Sequence, residues 1–209
     1  MYVPTSFVWN DLTEIHEFME RYSFATLVTK HADTRLVASH IPLLLVRGGS
    51  EHGHLLGHVA RGNDQWRDVN GEALAIFTGP HAYVSPRWYE ADQVVPTWNY
   101  LAVHAYGPLQ IISDRDEFRD LLRRMIDIYE SGDENPWTLE RSGDAVDKLM
   151  GGIVGFRIPI TRIDAKRKLS QNHPVERQEK VIAALDLQSG EDASEIVALM
   201  RKNLKDKRD

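Results

Sequence analysis

HAYVSPRWYEADQVVPTWNYLAVHAYG, residues 81–107, sets two aromatic-rich, strand-like runs on either side of a turn. Tyr83, Trp88, Tyr89, Trp98, Tyr100 and Tyr106 each carry an apolar ring face for stacking and a polar edge that needs a hydrogen-bond partner when buried. Aromatic residues are also what a half-buried strand prefers. Ser85, Thr97, Asn99 and His104 place donors and acceptors among the rings, and buried polar groups destabilise unless something satisfies them. The run therefore suits the lining of a site for a flat heteroaromatic molecule.

Working outward, the pattern is strands first, with helices inserted and appended. Asn10 or Asp11 caps a helix in which Leu12, Ile15, Met19 and Tyr22 recur at helical spacing. FATLVTK and LVASHIPLLLV read as strands joined by a hairpin at HADT, with a turn over Arg47 to Ser50. HGHLLGHVA is a third strand, NDQWRDV one or two helical turns begun by Asn63, and EALAIFTG a fourth strand punctuated by Gly79 and Pro80. The two aromatic strands follow, and PLQIIS extends the second or forms a bulge after a break at Gly107 and Pro108, giving six strands to this point.

Ser113 or Asp114 then caps an amphipathic helix to Tyr129, with Phe118, Leu121, Leu122, Met125 and Ile126 on its apolar face. A short helix over Asp144 to Met150 precedes GIVGFRIPITRIDAK, a further strand in which Pro159 marks an edge or a frayed end. After KLSQNHP two helices separated by a turn at Gly190 close the chain. This order predicts an antiparallel α+β domain, not alternating βαβ units. No repeat or linker divides it, so one domain is expected over 1–209, with a helical extension from about residue 174.

Composition narrows the function. The longest apolar run, Ile41 to Val46, is far short of a membrane span and holds Pro42, and no basic segment followed by an apolar core opens the chain. A soluble, cytoplasmic protein is expected, without a membrane partner. With no cysteine, disulfides, thiolate chemistry and cysteine-ligated metal are excluded, so redox work requires a cofactor. A net charge of −6 opposes broad attraction to nucleic acid. Basic clusters remain at Arg162, Lys166, Arg167 and Lys168 and at Arg201, Lys202, Lys205, Lys207 and Arg208, but such clusters are mostly solvated faces. His52, His54 and His58 alternate along one strand face, a spacing that permits a metal, yet no HExxH-like signature accompanies them. Hydrolase, NTPase and dinucleotide glycine motifs are absent, as is a helix-turn-helix with a basic recognition helix.

Three blocks carry a resemblance. They are ASHIPLLL (38–45) with GHVARGNDQW (57–66), AYVSPRWYE (82–90) with VPTWNY (95–100), and KLSQN (168–172). In this order and spacing the chain resembles the PaiB family of FMN-binding proteins, named as negative transcriptional regulators and similar in fold to the split barrels of pyridoxamine phosphate oxidase. One departure is His173, where the family pattern leads one to expect Arg.

The resemblance implies an antiparallel split β-barrel with peripheral and C-terminal helices, FMN as cofactor, and a homodimer, because the similar flavoproteins build each site from both subunits. Arg61, where a strand ends and a short helix begins, together with the following amides and Gly62, suits the dianionic phosphate. Ser39 and His40 point to opposite faces of their strand, and Ser39 is the candidate for the cofactor. Thr97 and Asn99 face away from Trp98 and Tyr100. Lys168, Ser170, Gln171 and Asn172 resemble a second clamp for phosphate or ring edge. With His58, Asn63 and Ser85, these complete the expected cofactor-binding set; no catalytic residue is singled out, though Tyr83, Tyr100, His58 or His104 could donate a proton. Regulation of transcription is the leading reading, by direct or indirect action on DNA. The alternatives are an FMN-dependent oxidoreductase and a flavin or haem carrier without catalysis.

Overall fold

A computed structural model describes residues 1–69, 71–143 and 145–205. The elements run α1 (Leu12–Arg21), β1 (Phe24–Lys30), β2 (Leu36–Pro42), β3 (Leu44–Val46), β4 (His54–Ala60), β5 (Glu72–Val84), β6 (Thr97–Pro108), β7 (Gln110–Ile111), α2 (Arg115–Tyr129), α3 (Ala145–Gly151), β8 (Ile153–Pro159), β9 (Arg162–Lys168), α4 (Val175–Asp186) and α5 (Glu191–Lys205). One sheet has the order β2-β1-β5-β6-β9 and the other β3-β4-β8-β7. The antiparallel α+β reading holds.

The chain forms two compact units. The first comprises Met1–Ile15, Thr78–Val103 and the chain from Asp164 onward; the second comprises His16–Phe77 and His104–Ile163. In the first, α4 packs on α5 and on a 3-10 turn over Pro86–Tyr89. In the second, Leu56, Ile112, Phe118, Leu121, Met125, Leu139, Val146 and Met150 form an apolar cluster over which α2 lies.

Several boundaries differ from the sequence reading. LVASHIPLLLV is two strands, because Leu43 is wholly buried at a corner where the chain passes from the five-stranded sheet to the four-stranded one. GIVGFRIPITRIDAK likewise divides at Ile160 and Thr161 into β8 and β9, one in each sheet, with Pro159 at the end of β8. Gly79 and Pro80 do not end a strand: β5 runs through them to Val84, so the first aromatic run is its tail. Gly107 stays within β6 because a side chain there would collide with the Pro159 carbonyl. The count is therefore nine strands among the described residues.

The caps follow the expected residue types. Asp11 accepts from the Glu14 amide at 3.0 Å, and Asp114 from the Glu117 amide at 2.8 Å. Asn63 caps a single 3-10 turn, Asp64–Trp66, shorter than expected. Asp144, Lys207 and Arg208 lie outside the described residues.

Candidate functional site

The candidate residues fall into separate groups. In the second unit, β4 ends in a turn over residues 61–66. Asn63 directs its amide oxygen to the Gln65 amide at 2.9 Å and donates from Nδ2 to Ser39 Oγ at 2.9 Å. Ser39 is half-buried, on the face of β2 that meets Leu27, whereas His40 is exposed and bonds Thr26 Oγ1 at 3.0 Å. The opposite placement of the two residues is as expected.

Arg61 is anchored differently from the sequence reading. Its Nε donates to the Gly151 carbonyl at 2.6 Å, its Nη2 to the Ile153 carbonyl at 2.9 Å, and its amide to the Gly152 carbonyl at 2.8 Å. The side chain thus pins the turn to the chain between α3 and β8. The Gly62 amide has no acceptor among the described residues, and the space above its Cα is open. Arg61, Trp66, Ser113, Asp114 and Arg115 line a groove of about 360 Å³ together with the apolar side chains of Ile111, Phe118 and Met150. The Arg67 guanidinium lies 5.0 Å from the Trp66 ring centre.

Gln65, which sequence reasoning passed over, holds this region together. It is 1% exposed and donates from Nε2 to the carbonyls of Leu27 at 2.9 Å and Val37 at 3.2 Å. A polar residue two positions after a capping Asn was its sole signal.

His58 lines a different hollow of about 380 Å³, walled by Pro42, Leu122, Met125, Tyr129, Trp137 and Met150. Its Nδ1 is buried without a partner, and burial holds the imidazole below its ordinary pKa, favouring the neutral form. Burial, then Arg157 and Arg124, lowers His54 in the same direction. His52 lies before β4 and does not continue a strand face. Among the described residues no three His, Asp or Glu side chains converge as metal ligands.

In the first unit, Tyr89, Gln93, Val95, Thr97, Asn99, Lys168, Ser170, Asn172, His173 and Arg177 line a cleft of about 260 Å³. Asn99 and Ser170 are buried and hydrogen-bond each other at 3.1–3.2 Å. Lys168 Nζ donates to Thr97 Oγ1 and to the Trp98 carbonyl, the latter at 2.6 Å. Burial, followed by the charge of Lys166, lowers its pKa. Burial also lowers His173, with Arg177 and Lys168 adding to the effect.

The remaining candidates stand outside this cleft. Gln171 folds back on its own turn, accepting from the Leu169 amide at 2.6 Å. Ser85 caps the Pro86–Tyr89 turn, accepting from the Arg87 amide at 3.4 Å. Trp98 is 51% exposed on the other side of β6, with the His81 and Tyr83 ring centres 6.0 and 5.8 Å away. Sequence reasoning missed Tyr89, His173 and Arg177 as cleft residues; Arg177, four residues after His173, brings a guanidinium to the cleft where the family pattern expects one at 173.

The basic clusters are largely engaged internally. Arg201 pairs with Asp186 at 2.6 Å, and Glu14 receives Lys202 at 2.7 Å and Arg167 at 2.9 Å. Arg162 stacks 3.6 Å from the Tyr106 ring centre.

Comparison with known proteins agrees with this architecture. The chain is similar to the protease synthase and sporulation protein PAI 2 of Bacillus subtilis, at 36% identity over 98% of this chain and 99% of that one. It is similar in structure to a conserved hypothetical protein of Mycobacterium tuberculosis (TM-score 0.57, 15% identity, 83% and 94% of the two chains). A FAD and heme binding protein of Mycobacterium smegmatis gives a TM-score of 0.56 at 17% identity, over 82% and 77% of the two chains. At these identities the structural likeness is one of fold, the antiparallel split barrel. A family model described as "Putative FMN-binding domain" matches residues 1–162, and with the PAI 2 likeness it bears out the PaiB resemblance: the chain belongs to this family of FMN-binding domains.

Proposed function

We propose that the protein is an FMN-binding regulator of PaiB type whose flavin is held on the turn after β4. The observation that carries this reading is the groove that Arg61 and Trp66 of this turn line together with Ser113 and Arg115, beside a Gly62 amide without an acceptor among the described residues. This donor set fits FMN: amide and guanidinium donors suit a phosphate, and an aromatic flank suits the isoalloxazine. Arg61 acts by fixing the turn through the Gly151 and Ile153 carbonyls. Bound FMN would supply reversible two-electron redox chemistry, which no side chain of a cysteine-free chain offers.

A homodimer is part of this reading. Its support is one face of the β2-β1-β5 sheet, where Ala38, Val28 and Leu74 lie in one row and His40, Thr26 and Ile76 in the next. Phe24 and Leu36 on that face are 70% and 69% exposed, and a sheet face with such exposed apolar side chains among Thr26, His40 and Lys30 suits a second copy. No described helix is long and apolar enough to cross a membrane, and together with the absence of cysteine this supports a cytoplasmic location. Because Arg167, Arg201 and Lys202 of the basic clusters are paired with acids within the chain, we place the regulatory output on the flavin state and not on direct grip of DNA.

The His58 hollow favours a second reading, an FMN-dependent oxidoreductase. A neutral imidazole in an apolar chamber is suited to exchange a proton with an apolar substrate.

The test is the visible spectrum of the purified protein after FMN is added and the excess removed. Retained flavin bands at one equivalent per chain are expected; a colourless protein would remove the reading.

A further inference from the structure

We propose that the cleft between the end of β9 and the start of α4 binds a small phosphate monoester at a site separate from the flavin. Its floor is buried and internally bonded. Asn99 is wholly buried and Ser170 nearly so, and each satisfies the other. Ser170 holds a left-handed backbone, φ 59°, which turns the chain from β9 toward α4, and the His173 amide closes that turn on the Ser170 carbonyl at 3.0 Å.

Above this floor the exposed chemistry is cationic and donor-rich. Lys168 directs one proton to Thr97 and one to the Trp98 carbonyl, leaving its third for a ligand, while the Thr97 hydroxyl keeps its own hydrogen to donate. Arg177 enters from the first turn of α4, whose N-cap, Pro174, offers no side-chain cap. Among the described residues no Asp or Glu lines the cleft. Tyr89 is 2% exposed, lines the cleft, and its hydroxyl has no partner among the described residues. A buried hydroxyl without a partner is costly, and a ligand oxygen would satisfy it.

Geometry selects the ligand class. Donors converge from the Pro86–Tyr89 turn, from β6, from the end of β9 and from α4, an arrangement that suits the three oxygens of a tetrahedral phosphate better than a planar carboxylate. At about 260 Å³ the cleft falls short of pockets that hold drug-sized ligands, so the body attached to phosphate is small. The alternation of β6 turns Thr97 and Asn99 into the cleft and Trp98 to the opposite face, so one flavin cannot use this cleft and the exposed Trp98 ring together.

The experiment is calorimetric titration of the FMN-loaded protein with glycerol 3-phosphate and with inorganic phosphate, with flavin absorbance followed in parallel. We expect saturable binding at one per chain with flavin retained, weakened about tenfold or more in Arg177→Met. Tyr89→Phe provides a second readout, because removing an unsatisfied hydroxyl lowers affinity for the phosphate probe while leaving the free protein's melting temperature equal or higher. Absence of saturable binding by both probes, or equal affinity in Arg177→Met and wild type, overturns the proposal. Release of FMN in step with phosphate binding also overturns it, since the cleft is then the flavin's own phosphate site. A protein that does not take up FMN is titrated as purified, so failure of the flavin reading and failure of this one remain distinguishable.

Discussion

Asn63 donates from Nδ2 to Ser39 Oγ at 2.9 Å, so the turn that leaves β4 in the four-stranded sheet is fastened to β2 in the five-stranded one. One short residue does this while also capping the turn through the Gln65 amide. The turn that carries Arg61 and Trp66 to the proposed flavin groove is therefore held by a few polar bonds, while Ile112, Phe118 and Met150 of the apolar cluster form part of the groove's wall.

Gln65 is the structural complement of that bond. Gln65→Leu keeps the volume but strips the buried Leu27 carbonyl and the part-buried Val37 carbonyl of their donor, and the expected loss is about 1–3 kcal/mol of unfolding free energy. Chemical denaturation of the variant against wild type measures it, and an unchanged midpoint would show that the clamp is dispensable.

Glu14 links stability to pH. The Lys202 ammonium first, with the Trp9 indole and Arg167 adding to it, holds the Glu14 carboxyl below its ordinary value of 4.5 against the opposing effect of burial. A folded-state pKa below the unfolded one means the contribution is fully present above about pH 4.5 and is lost as pH falls through the lower, folded value. Wild type should thus lose its stability advantage over Glu14→Gln as pH is lowered through that window. Melting temperatures taken from pH 6 downward would contradict this if the difference between the two proteins stayed constant.

Phe24 and Leu36 are expected to report on the proposed dimer. Both are largely exposed on the face of β1 and β2 opposite Leu27 and Ser39, so polar replacements there leave the chain's own core intact. Light scattering after size exclusion should give a dimeric mass for wild type and a monomeric mass for the Phe24→Ser, Leu36→Asp double variant. A monomeric wild type would rule out the face as a self-contact.

Much of this was legible in the residues. FATLVTK and the helix capped at Asp114 run between the expected limits, because alternation and a capping aspartate are local signals. Where the chain changes sheets, at Leu43 and again near Ile160, a continuous apolar or alternating pattern hides the corner, since a residue buried at a bend reads like one buried in a strand. The aromatic run announced a site but not its geometry. Alternation separated Thr97 and Asn99 from Trp98, but the partnership of Asn99 with Ser170, 71 positions apart, depends on the fold. Arg61 was readable as a charged strand end, while its carbonyl partners at 151 and 153 were not, because backbone acceptors leave no trace in residue identity.

The most direct test of the flavin assignment is an equilibrium titration of FMN, followed by flavin fluorescence, into wild type and Asn63→Ala. The variant loses both the cap and the Ser39 bond, and the account predicts FMN binding weakened by about tenfold or more, with the fold retained because a lost cap costs only about 1 kcal/mol. Equal affinity in the two proteins would contradict the placement of the flavin on the turn after β4.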